Sequence, residues 1–137
     1  MTGRPGNRPI VVLHGRADSL IPVNHASRAY YALAAANGAA DLHYYEVVHA
    51  QHFDAFLRLP GFDSRYVPLN PQVEAALELL LSRLVTGAPL PPCQVVRSQP
   101  RGNALPSLTQ QHLGSIRESP DAADRIVFDG RRLSVPE

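Results

Sequence analysis

Apolar runs and amphipathic stretches alternate along the chain as far as Gly87. Pro9–His14 (PIVVLH) is a continuous, largely β-branched run, as expected of a strand buried on both faces of a parallel sheet. Gly15 permits a sharp turn after it. Ala26, Ala29, Tyr30 and Leu33 recur at three- and four-residue spacing, which predicts a helix with Asn24 as its N-cap and Asn37-Gly38 as its stop. Leu42–Val48 (LHYYEVV) then reads as a second strand. Strand, helix and strand in that order predict a parallel β-α-β unit. When such a unit is right-handed, the loops after both strands emerge at one edge of the sheet.

The pattern continues with a short helical turn over Phe53–Leu59, ended by Pro60-Gly61. Asn70 and Pro71 open a longer helix. Val73, Ala76, Leu77, Leu80, Leu81 and Leu84 fall on one face of it, and Gly87 ends it. A stripe that broad calls for a sheet to pack on. Ala88 to Leu108 is proline-rich, with Gln94–Arg97 as its one extended piece. Asp129-Gly130, between extended runs in 125–135, predicts a hairpin. The expected organisation is α/β over residues 1–87, followed by a Pro-rich extension over 88–137.

Composition changes this picture in few places. A chain of 137 residues has room for one domain, and 45% hydrophobic content excludes wholesale disorder. Most of its 13 prolines follow Pro60, so irregular backbone is expected in the second half. The net charge is +1 and no basic block exceeds Arg131-Arg132, which argues against nucleic acid as a partner. No apolar run approaches the roughly 18 residues of a membrane span. MTGRPGNR also lacks the apolar core of a signal peptide. Cys93 is the sole cysteine, beside two prolines and without a local base, and reads as an inert thiol.

The chemistry concentrates in the two loops. Asp18 follows the first strand, between Gly15 and Pro22, and His52 follows the second, four residues past Val48 and before Phe53. This combination resembles the acid and histidine loops of the α/β-hydrolases. The resemblance implies that Asp18 accepts the Nδ1–H of His52 and fixes its tautomer, leaving Nε2 free to take a proton from a nucleophile. His49, closer to the strand end, is the rival histidine. Leu20, Ile21 and Phe53 border the site and are candidates for an acyl pocket, although such residues more often close a core. His14, His43, His49 and His52 raise a metal site, but His14 and His43 lie within strands and no ligand spacing supports one. No metal or cofactor is expected.

Across RPIVVLHGRADSLIPVNHASRAYY, LHYYEVVHAQHFDAFL, PGFDSRYVPL and LPPCQVVRSQPRG the sequence is similar to the C-terminal part of the 3-hydroxybutyrate oligomer hydrolases. These are α/β-hydrolase-type esterases that cleave short oligomers of (R)-3-hydroxybutyrate. The resemblance implies the C-terminal part of an α/β-hydrolase sheet, with a hydroxybutyrate oligomer or similar small ester as the full enzyme's substrate. It also implies a need for the upstream part of the hydrolase domain. The nucleophile elbow G-x-S-x-G is missing from these residues. Ser19, Ser27, Ser64 and Ser82 lack flanking glycines, and Gly114-Ser115 follows the histidine. Loss of a triad nucleophile costs on the order of a millionfold in turnover, so the isolated chain is expected to be inactive. A truncated gene product and a non-catalytic interaction module built from hydrolase parts stand as alternatives. As a fragment, the chain would have an unpartnered first strand that favours self-association, whereas the module would offer that strand to a partner chain.

Overall fold

The computed structural model describes residues 2–6 and 8–137. A parallel sheet of three strands, β1 (Ile10–Gly15), β2 (Leu42–Val47) and β3 (Gln94–Val96), carries an α/β fold in the order β1-β2-β3. Helix α1 (Ser27–Ala36) connects β1 to β2, and α2 (Asn70–Thr86) lies between β2 and β3. A short helix, α3 (Gln110–Leu113), and a small antiparallel pair, β4 (Val127–Phe128) with β5 (Leu133–Ser134), complete the regular elements.

Because successive side chains of a strand point to opposite faces, the sheet builds two cores. On one face Ile10, Val12, Leu42, Tyr44 and Val95 pack with Tyr31 and Ala34 of α1 and with Ile126. On the other, Val11, Leu13, Tyr45, Val47 and Val96 meet Ala50, Val67, Leu69 and Ile116. The register sets Ile10 beside Leu42 and Gly15 beside Val47, so β1 and β2 end together.

One expectation needs correction. Asn24 is not the N-cap of α1. Pro22, at φ −57°, leads into a 3-10 turn over Val23–His25, and Ala26 takes the cap position. The Asn24 carboxamide instead accepts a hydrogen bond from Arg28 Nη1 at 2.9 Å. The apolar stripe of α2 finds only part of the sheet it calls for. Ala76 is buried, but Leu77, Leu81 and Leu84 are 59%, 61% and 63% exposed. The stripe runs past β1, and no described residue pairs with the outer edge of that strand. An apolar groove remains there, lined by Val11, Leu13, Val73, Ala76, Leu77 and Leu80.

The extended piece read at Gln94–Arg97 forms β3, Gln94–Val96, the third strand of the sheet. Its outer side is covered by an antiparallel bridge from Gln94 to Arg125 and by the Ile126 N–H donating to the Cys93 carbonyl at 2.9 Å. The buried Gln94 side chain anchors the irregular tail, donating to the carbonyls of Pro92 and Arg117 and accepting the Arg117 N–H. The hairpin forms where Asp129-Gly130 predicts it. Gly130 takes φ 92°, and Asp129 Oδ1 accepts the N–H groups of Arg131 and Arg132.

Candidate active site

The loops after β1 and β2 are laced together before they reach any side-chain chemistry. Arg16 N–H donates to the Val47 carbonyl at 2.7 Å, and Ala17 N–H donates to the Ala50 carbonyl at 3.0 Å. Gly15 makes this approach possible, because a Cβ there would lie 2.5 Å from the Ala50 carbonyl oxygen. The fold thus brings Asp18 to His52 across 34 positions of sequence, with His52 Nδ1 at 2.7 Å from Asp18 Oδ2.

Asp18 is held from four directions. Its Oδ1 accepts the N–H groups of Leu20 and Ile21, both at 2.9 Å, as a short polar side chain in a turn commonly does. Its Oδ2 accepts from His52 and from His14 Nε2, the latter at 3.0 Å. The side chain is 1% exposed. Burial works to raise the carboxyl, but the hydrogen bonds from Ile21, His52, Leu20 and His14 outweigh it and keep it below its ordinary value. Asp18 is therefore a carboxylate that accepts at every position. Next to it, Gln51 Oε1 accepts both the N–H and the hydroxyl of Ser19 at 3.1 Å, a second tie between the loops.

An ionised Asp18 gives His52 the Nδ1–H tautomer. Its Nε2 has no partner among the described residues. The ring packs edge-on against Phe53, with centroids 4.3 Å apart and planes at 86°. It borders a groove of about 220 Å³ lined by Leu13, His14, Gly15, Asp18, His52 and Leu69. Leu20, Ile21 and Phe53 lie beside this pair, and all three are exposed. His49 turns away. It sits at φ 58°, its Nδ1 faces the Ser98 carbonyl at 3.2 Å, and its own carbonyl accepts the Val67 N–H. Among the described residues, no group of three or more His, Cys, Asp or Glu is arranged to hold a metal ion.

Three contributions were not legible in the sequence. His14 belongs to the site, although its position in a β-branched run reads as strand interior. Asp54 joins the histidine loop to the start of α2, accepting Leu69 N–H at 2.6 Å and Asn70 N–H at 3.0 Å. Glu46, fully buried and beside His14 in the strand register, accepts from Arg28 Nε at 2.9 Å and Nη2 at 2.6 Å, from the Tyr44 hydroxyl at 2.7 Å, and from Arg16. Burial opposes ionisation of Glu46, but Arg28, Tyr44 and Arg16 together hold its carboxyl below the ordinary value. A lone carboxylate inside LHYYEVV was the available signal, because a charge in a buried strand needs a partner.

The model of the 3HB-oligomer hydrolase (3HBOH) family matches residues 1–137. The chain belongs to this family. Similar proteins include the D-(-)-3-hydroxybutyrate oligomer hydrolases of Burkholderia mallei (strain SAVP1) and Burkholderia pseudomallei (strain K96243). Each is 47% identical over 135 residues, covering 95% of this chain and 19% of the relative. The chain thus spans about a fifth of the length of these 3HB-oligomer hydrolases. No solved structure matches it. Within this 3HB-oligomer hydrolase segment, the serine that follows Asp18, Ser19, is engaged with Gln51 rather than with His52.

Proposed function

We propose that the chain is the C-terminal, acid-and-histidine segment of an α/β-hydrolase-type carboxylic-ester hydrolase acting on 3-hydroxybutyrate oligomers. The observation that carries this reading is the 2.7 Å hydrogen bond between His52 Nδ1 and a buried Asp18 carboxylate, with Nε2 left unengaged beside a groove. Asp18 holds the tautomer and stabilises the imidazolium. His52 takes the proton of a serine hydroxyl supplied by the rest of the enzyme and returns it to the departing hydroxy acid. It then activates water to release the acyl group. We assign Leu20, Ile21 and Phe53, exposed beside the pair though outside the lining of the groove, to the approach of a small aliphatic ester.

The docking surface for the rest of the enzyme is the open edge of β1 together with the exposed leucines of α2. Two observations support this. The chain covers only 19% of its relatives, and the apolar stripe runs beyond the sheet. Exposed edges and apolar patches of this kind are normally covered. The same surface supports the rival reading, a non-catalytic interaction module.

Hydrolysis of a short-chain nitrophenyl ester and of the hydroxybutyrate dimer separates the two readings. The isolated chain is expected to be inactive, and a full-length enzyme containing this segment active. Asp18→Asn in that enzyme is expected to lower kcat by up to about 10⁴-fold, as loss of the correct histidine tautomer does in a serine triad. Unchanged turnover in Asp18→Asn and in His52→Ala would overturn the proposal.

A further inference from the structure

We propose that His14 is a positioning residue for the Asp18–His52 pair, holding the carboxylate oxygen that His52 uses and locking the loop that carries it. The inference rests on the acid–base reading of that pair. Its basis is geometric. His14 Nε2 faces two acceptors, Asp18 Oδ2 at 3.0 Å and the Ile21 carbonyl at 2.9 Å. A carbonyl oxygen cannot donate, and neither can an ionised carboxylate. Nε2 must therefore carry the hydrogen, and the tautomer of His14 is fixed. The ring is also nearly buried, with its side chain 11% exposed.

This places a second imidazole where a triad needs only one. The two N–H groups on Oδ1 come from Leu20 and Ile21, within the acid loop itself, so they tie Asp18 to β2 only indirectly, through the loop's own bonds to Val47, Ala50 and Gln51. His14 belongs to β1, which pairs with β2 along its whole length, His14 itself beside Glu46. Its N–H therefore references both Oδ2 and the far end of the loop, at Ile21, to the sheet that also sets the start of the His52 loop. Without it, Oδ2 is held by His52 alone, and the carboxylate is fixed only through Oδ1 and the ties of its loop. The bias of His52 toward the Nδ1–H form is then weaker.

The test is ring-¹⁵N NMR of the 137-residue chain. In the unsubstituted chain, His14 is expected as the Nε2–H tautomer and His52 as Nδ1–H, with a downfield proton in the His52–Asp18 bond. His14→Leu is expected to shift the His52 nitrogens toward a tautomer mixture and to weaken that proton signal. His14→Gln, whose amide reaches the position of Nε2, is expected to restore both. If His14→Leu does not fold, His14→Asn replaces it, since its amide is too short to reach Oδ2. His52 signals that are the same in the Leu or Asn variant as in the unsubstituted chain would overturn the proposal.

In the full-length enzyme, His14→Leu or Asn is expected to lower kcat about tenfold to a hundredfold with KM unchanged, as small misplacements of catalytic groups do, and Gln to retain most activity. An unchanged kcat in the Leu or Asn variant would also overturn it. Unchanged hydrolysis in Asp18→Asn would instead remove the acid–base reading, while the NMR arm would still report the geometry.

Discussion

At the scale of single residues, the site depends on how closely two backbones approach. Gly15 is the tightest point, with the Ala50 carbonyl in the space a side chain would take. A backbone carbonyl tied into Ala17 cannot rotate away as a flexible side chain would. Gly15→Ala is therefore expected to destabilise the chain by about 3 kcal/mol, at the upper end for overpacking, as measured by urea unfolding. His52 should then lose its Asp18 contact even where the sheet survives. That the loops carrying Asp18 and His52 meet was legible in the sequence from the order strand, helix, strand, whereas the preference for His52 over His49 came from the family resemblance. His14 was not legible, because its direction depends on a turn that folds back from Asp18 four residues later.

At the scale of elements, α2 shows what local sequence decides and what it does not. Asn70-Pro71 and Gly87 mark its ends in sequence and in structure, with Gly87 at φ 77°. Which apolar positions become buried depends on how far the sheet extends, and here it stops at β1. Leu81→Glu in the isolated chain is thus expected to change stability by less than about 0.5 kcal/mol, as for ordinary surface substitutions, and to reduce self-association in sedimentation experiments. In the full-length enzyme, where the proposed docking covers this face, the same change is expected to cost about 2 kcal/mol or more, the value of burying a leucine. Equal effects in both proteins would count against docking at α2. The short β3 shows the same dependence on context. Gln94–Arg97 reads in sequence only as a short extended piece, and pairing with β2 makes three of its residues a strand.

At the scale of the whole molecule, two buried carboxylates link stability to pH. Asp18 and Glu46 both titrate below their ordinary values of 3.8 and 4.5 when folded. Their contribution is complete above those ordinary values and is lost as pH falls through the lower, folded ones. Tm is therefore expected to be flat near neutrality and to fall steeply below about pH 4. Glu46→Gln should remove part of that slope. It should also cost about 3 kcal/mol at pH 7, because Arg16 and Arg28 are left facing a neutral amide.

The same ties decide what happens when the chain is cut. Residues 102–111 are exposed throughout, whereas the segments on either side are fastened back to the sheet. Gln94 holds the backbone at Arg117, Arg97 pairs with Asp124 at 2.8 Å, and Arg16 Nη2 donates to the Pro136 carbonyl at 2.7 Å. A protease that nicks this stretch should therefore release nothing. Two bands should appear on a denaturing gel from a species that still elutes as one. The final residues then behave as a non-covalent subunit, and the loop that precedes them becomes a site where the chain can be opened, lengthened or rejoined while Asp18 and His52 remain in register.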